Sequence, residues 1–417
     1  MLQILSRMRS FLFCLILLLV SCSPGKSVMK QSDQNLYQYA VELAHRFIIV
    51  DGHVDLPYRL KVKNFRLERE MMGIPIETTD GDFDYMRAKQ GGLSAPFMSI
   101  YVPSSYQSDL AVARAFADSI IDMVDGIIAA HPDKFAKGNS PELIEDNFKE
   151  GLISLPMGLE NGAPIAKLED ADHFYKRGIR YVTLTHATDN HICDSSYDTT
   201  RTWGGVSPFG KQLIEKMNDI GMIIDVSHIS DSAFYQVMQL SRVPVLATHS
   251  SCRHFTPGWE RNMSDDMIRS LAQHGGVIQI NFGSTFLDGE IAKNRERYRA
   301  DLERRLAEKN LKADDPEAKP VIEAFRKEYP ALYADVKRVA DHIDHVRAIA
   351  GIDYVGLGSD FDGVGDSLPA GLKDVSMYPN LIHELLKRGY SEEEIEKICY
   401  KNVWRVWNQV NAYAASK

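Results

Sequence analysis

Eight apolar runs, most of them separated by amphipathic stretches of helical spacing, narrow the choice of fold more than any other feature of this chain. They are Phe47–Gly52, Pro96–Val102, Leu152–Leu159, Tyr181–Thr185, Met222–Ser227, Val243–Thr248, Gly276–Ile280 and Tyr354–Gly358. Strands that alternate with helices imply parallel pairing, because each strand returns to the sheet only after its helix crosses over, and eight of them fit a closed (β/α)8 barrel of the TIM type. Polar residues stand at or just past the ends of seven runs: His53, Glu160, His186, His228, His249, Asn281 and Asp360. In such a barrel the C-terminal strand ends surround the catalytic face. A length of 417 residues suits one barrel with insertions.

The helices between the runs carry recognisable ends. Leu110 to Ala130 keeps an apolar face, Ser230 and Ser264 fit N-caps, and Ser391-Glu392-Glu393-Glu394 is a capping box opening the last helix. A first helix is expected from about Leu36 to Arg46. Between the seventh and eighth runs, Glu290 to Tyr333 is rich in Arg, Lys and Glu and broken by Pro316, Pro320 and Pro330. It reads as a helical insertion, and a solvated outer excursion is favoured over a lid.

Residues 1–22 carry Arg7 and Arg9, the apolar run Phe11 to Val20, and Leu19-Val20-Ser21-Cys22, which resembles a bacterial lipobox. So short a run is too short to span a bilayer and reads as an export signal, with Cys22 as the lipid-bearing first residue of the mature chain. Residues 23–35 would be a flexible tether and 36–417 one folded domain in the bacterial cell envelope, anchored to a membrane by its lipid. A net charge of −9 gives no basic patch for nucleic acid. Cys193, Cys252 and Cys399 form no CxxC, so a thiolate metal site is not expected, although one disulfide could form.

Asp51, His53 and Asp55 alternate along the end of the first run, so side chains two apart are expected to share a face. His53, Asp55, His228 and His249 supply nitrogen and oxygen donors suited to zinc or a neighbouring divalent metal, enough for one closed site or two open ones. Glu160 has two oxygens that could bridge a pair, and a two-metal site activates a shared water. Asp360 is placed to act as general base and then acid. Uncoordinated, His186 could donate to a developing oxyanion and Arg261 could pair with a substrate carboxylate; from the residues alone, a satisfied core histidine and a surface arginine are the simpler readings.

Five segments together resemble the membrane (renal) dipeptidase family: Asp51-Gly52-His53-Val54-Asp55-Leu56-Pro57, Gly178 to His186, Ile224-Asp225-Val226-Ser227-His228, Pro244 to Ser251, and Gly358-Ser359-Asp360-Phe361-Asp362-Gly363. They run in the family's order from about residue 45 to 405. The resemblance implies a metal-dependent, amidohydrolase-like barrel with two zinc ions, His53 and Asp55 on one, His228 and His249 on the other, and Glu160 bridging. It implies that a metal-held hydroxide cleaves dipeptides, with Asp360 at the water and the substrate amine, His186 at the scissile carbonyl and Arg261 at the C-terminal carboxylate. Asn161 departs from the family, which commonly has Gly there, and Cys252 to Glu260 is about one residue longer. Other expectations are hydrolysis of an N-acyl amino acid or a β-lactam, and a non-catalytic peptide-binding lipoprotein; a homodimer is compatible with any of them.

Overall fold

Eight parallel strands close into a barrel, as the alternation of runs leads one to expect. The computed structural model describes residues 33–62, 77–78, 81–330 and 332–417. Its strands are β1 (Ile49–Val54), β2 (Leu93–Tyr101), β3 (Phe135–Lys137), β4 (Ile153–Leu155), β5 (Met157–Glu160), β6 (Ile179–Thr183), β7 (Ile223–Asp225), β8 (Leu246–Ser250), β9 (Val277–Ile280) and β10 (Val355–Leu357). Around the barrel the order is β1, β2, β5, β6, β7, β8, β9, β10 and back to β1, while β3 and β4 pair in a small separate sheet. The export signal, Cys22 and residues 23–32 of the tether lie outside the described residues. Among those described, no helix is long and apolar enough to cross a membrane.

Three expectations are corrected here. The run Leu152–Leu159 is two strands, because Pro156 has no N–H to give a ladder; β4 turns to β3, and β5 joins the barrel between β2 and β6. The first helix is Asp33–Arg46, so residues 33–35 of the tether segment are helical, with Asp33 at the positive end of the helix dipole. Asp51 and His53 do not share a face. The β1–β2 register slips between Asp51 and Val54, and such a bulge re-aims the side chains that follow it. The Asp51 carboxylate accepts from Tyr378 Oη at the start of the helix Tyr378–Lys387, whereas His53 Nδ1 meets Tyr181 Oη at 2.9 Å.

The barrel is filled from its N-terminal end. Val50, Ala95, Phe97, Tyr181, Ile223, Leu246 and Val277 pack with Trp404 and Trp407 of the C-terminal helix Asn402–Ala415. Ring contacts run from Trp407 to Phe97 at 5.4 Å and on to Tyr181 at 5.3 Å, so a column of aromatics rises from the barrel floor to His53. Gly158 makes this possible, since a side-chain carbon there would overlap the Tyr181 ring. The expected N-caps are formed: Ser230 accepts from Ala233 N, Ser264 from Met267 N, and Ser391 and Glu394 cap each other reciprocally. The insertion between β9 and β10 contains the helices Gly289–Ala307 and Ala318–Glu328.

Candidate metal centre

The C-terminal strand ends bring His53, Asp55, Glu160, His228 and His249 to one point. His53 Nε2 lies 3.5 Å from Asp55 Oδ2 and 3.3 Å from Glu160 Oε2. Glu160 turns its other oxygen, Oε1, to His228 Nε2 at 3.4 Å and His249 Nε2 at 3.3 Å, and those two nitrogens are 2.8 Å apart. One carboxylate therefore faces two groups of donors with one oxygen each. All five residues are buried, Asp55 and His228 being the most exposed at 6%.

Hydrogen bonds behind the ring fix the histidine tautomers. Tyr181 Oη donates its only proton to Gly52 O at 3.1 Å, so it accepts from His53 Nδ1–H. Thr248 Oγ1 donates to Asp225 Oδ2 at 2.7 Å and accepts from His249 Nδ1–H at 2.8 Å. Each Nε2 is left with a lone pair pointing at a carboxylate oxygen, an arrangement of acceptors that calls for a cation between them. His53 Nε2 and Asp55 Oδ1 make no hydrogen bond among the described residues. Burial disfavours charge on His53, yet Tyr181, Glu160 and Asp55 push its pKa well above the usual imidazole range, so this spot demands positive charge. Burial lowers His249 to about 4 and, helped by Arg261, holds His228 well below its ordinary value, which keeps both neutral as metal ligands must be. Against burial, His53 and His186 hold Glu160 well below the carboxylate range. These residues fit a pair of divalent cations.

Asp360 sits beside this ring, one of its oxygens within 4.8 Å of a ring nitrogen of His53 and a carboxylate oxygen of Asp55. Its amide donates to His53 O at 3.0 Å and its Oδ2 accepts from Asn281 Nδ2 at 2.7 Å. Burial and the nearby Asp55 push the Asp360 carboxyl up to about 8. Asp360 has φ 63° and His228 φ 69°, left-handed backbone that costs a non-glycine residue energy and is typical of functional sites. Asn161 also has φ 71°, a conformation that asparagine tolerates better than most residues and that glycine adopts freely.

His186 is not a satisfied core histidine. Its side chain is 22% exposed, Nε2 lies 3.7 Å from Glu160 Oε1, and Nδ1 lies 3.4 Å from Tyr101 Oη. Nor is Arg261 a surface residue: at 2% exposure it donates to Ser250 Oγ at 2.9 Å and His249 O at 2.8 Å, with Nη2 3.0 Å from His228 Nε2. Its Nε donates to no protein acceptor.

A cavity of about 1270 Å³ opens above these groups, lined by Asp55, Glu160, His186, His228 and Asp360 together with Tyr58, Tyr101, Tyr197 and Trp259. Glu290, Lys293, Glu296 and Arg299 line it too, so the first turns of the helix Gly289–Ala307 form a wall of the site and the insertion is not merely an outer excursion. Charges lie on all faces of that helix, so no apolar stripe marks which side turns inward. Tyr101, Tyr181 and Asn281 are site residues that escape a reading of the chain for ligands. Two of them are aromatics inside apolar runs, and only the strand-end position of Asn281 signals it.

Comparison with known proteins agrees with the geometry. The sequence profile of the membrane dipeptidase family (peptidase family M19) matches residues 37–417. Dipeptidase 3 of Rattus norvegicus is 30% identical over 385 residues, which is 91% of this chain and 68% of that protein. The probable dipeptidase PvdM from Pseudomonas aeruginosa superposes with a TM-score of 0.76 at 28% identity, covering 91% of this chain and 100% of the other. A Rhodobacter sphaeroides metallo peptidase, liganded with a phosphinate mimic of the dipeptide L-Ala-D-Ala, shares the fold with a TM-score of 0.70 at 22% identity over 87% of this chain and 99% of that one. With donors gathered at the strand ends of a closed barrel and the family profile spanning nearly all of it, the chain belongs to the membrane dipeptidase family of metal-dependent hydrolases.

Proposed function

We propose that this chain hydrolyses the peptide bond of dipeptides at a pair of zinc ions, His53 and Asp55 holding one, His228 and His249 the other, and Glu160 bridging them. The observation that carries the reading is the division of the Glu160 carboxylate, Oε2 to His53 and Oε1 to His228 and His249. Bound there, divalent cations supply the Lewis acidity that activates water and polarises an acyl oxygen. The rest falls to the protein. Asp360, whose pKa near 8 lets it exchange a proton around neutral pH, takes one from the attacking water and passes it to the leaving amine. His186, kept neutral by burial, donates to the carbonyl oxygen as it gains charge. Arg261 holds the C-terminal carboxylate with the donor it has not spent on the protein.

Turnover of a dipeptide, its N-acetylated form and its amide tests the substrate class. Loss with both blocked forms is expected; equal turnover of the acetylated form would favour an N-acyl amino acid hydrolase instead. The export reading rests on Arg7, Arg9, the run Phe11 to Val20 and the lipobox-like Leu19-Val20-Ser21-Cys22. It places the enzyme in the bacterial envelope on a lipid carried by Cys22, so Cys22→Ala should move activity from the membrane to the soluble fraction. A homodimer belongs to the same reading, and light scattering of the mature chain measures it.

A further inference from the structure

We propose that the chain carries an additional binding site for a divalent transition-metal ion, outside the cavity, formed by His254, Asp265 and His345. The three side chains come from three elements: the single turn Arg253–Phe255, the first turn of the helix Asp265–Gln273, and the helix Val336–Ile349. One donor atom from each lies within 4.8 Å of the other two. His345 Nε2 is 2.8 Å from Asp265 Oδ1, and the His254 ring stacks on His345 with centroids 4.4 Å apart. An ion bonded to nitrogen and oxygen at about 2.0–2.2 Å separates its donors by roughly 3–3.5 Å, so His345 and Asp265 are already close to the required span. Only His254 must close in. It is exposed and makes no side-chain hydrogen bond among the described residues, so only ring contacts with His345 and Phe255 hold it where it is.

Other histidine–aspartate pairs on this surface lack two things that this one has. At His173 and Asp118 the carboxylate is also held by Arg177 at 2.8 Å, a cation already in the place an ion would take. At His383 and Asp33, Lys387 approaches the same oxygen at 3.8 Å. Asp265 Oδ1 has no such neighbour, since Arg269 approaches the other oxygen and only to 4.0 Å, and here a second imidazole stands ready. Two imidazoles and one carboxylate select zinc, nickel or copper over calcium or magnesium. The position gives the ion a task. His254 directly precedes Phe255, Thr256, Pro257, Gly258 and Trp259, which wall the cavity, and Arg261 follows. An ion at His254 would pin that loop to two helices of the barrel shell.

The test is zinc stoichiometry by mass spectrometry on the full chain loaded with zinc and desalted, together with melting temperature in excess zinc. Wild type should hold one equivalent more than either His254→Ala or His345→Gln, and excess zinc should raise its melting temperature but not theirs. His173→Gln should retain the extra equivalent, and all three variants should match wild type in dipeptide turnover without excess zinc. Gln at 345 keeps a donor for Asp265, and His254→Ala alters an exposed side chain, so either can decide the matter alone. Equal zinc content and equal thermal response in wild type and both variants would overturn the proposal.

Discussion

On the β1 side of Glu160, His53 rests on a phenol, whereas on the β7–β8 side His249 rests on a threonine hydroxyl backed by a carboxylate. Tyr181 receives the His53 proton and passes its own to a backbone carbonyl, so that relay ends in a neutral group. Thr248 receives the His249 proton and passes its own to Asp225, a buried anion that also accepts from Thr183 Oγ1 at 2.6 Å, Ser227 N at 3.0 Å and Thr248 N at 2.9 Å. The β1 side has a buried carboxylate of its own, Asp51, but it holds backbone amides of His53 and Ser359 and the Tyr378 hydroxyl, not the imidazole. Hydrogen bonds behind a ligating ring fix its tautomer and orientation, here through a chain that ends in an anion on one side and in a carbonyl on the other. The two halves of the proposed centre are thus backed unequally, the His249 side by a chain that ends in a buried charge and the His53 side by one that ends in a neutral carbonyl.

Glu160 belongs to both sides, so Glu160→Gln should have the largest effect. Metal content should collapse and dipeptide turnover fall to background; a variant that keeps its metal would show that the halves do not need a common bridge. Asp360→Asn comes next, with kcat lower by roughly 10²–10⁴-fold and metal content unchanged, since Asp360 moves protons and does not hold either half together. Asp225→Asn should weaken one of the two ions by about 10–100-fold in competitive chelator titrations, with Thr248→Val doing the same and Thr248→Ser restoring it. Tyr181→Phe should cost less metal affinity than Asp225→Asn. A larger loss with Tyr181→Phe would break the comparison between the two sides.

The smallest effect is expected at His342, a buried histidine outside the ring of candidate ligands. It accepts from Cys252 N at 3.1 Å, donates to Leu287 O at 3.0 Å, and is lowered by burial to about 3. The unfolded chain binds its proton near pH 6.5 and the folded chain only near pH 3, so stability is fully present above the unfolded value and is lost as pH falls through that window. The slope is at most about 1.4 kcal/mol per pH unit. Denaturant titrations from pH 7 to pH 4 should show this loss reduced in His342→Gln.

Much of the barrel and of the ring of candidate ligands is legible in the chain, because strand ends are marked twice, by an apolar run and by the His, Glu or Asp that follows it. What hides is what depends on contacts across the barrel. The bulge after Asp51 is set by pairing with β2, and alternation alone puts Asp51 on the wrong face. Pro156 does signal the break between β4 and β5, but only the partner strands show that the halves join different sheets. Tyr181 in an apolar run looks like core and is core, yet its hydroxyl also orients the His53 ring. The helix Gly289–Ala307 conceals its role because a wall facing a polar cavity and a face in water use the same residues.

Metal content measured beside dipeptide turnover, before and after chelation and after return of zinc, tests the account most directly. Two divalent ions per chain in the His254→Ala variant, which lacks the additional site, with turnover lost on their removal and regained on their return, is the expected result. A chain free of divalent ions that still cleaves dipeptides at the full rate would contradict it.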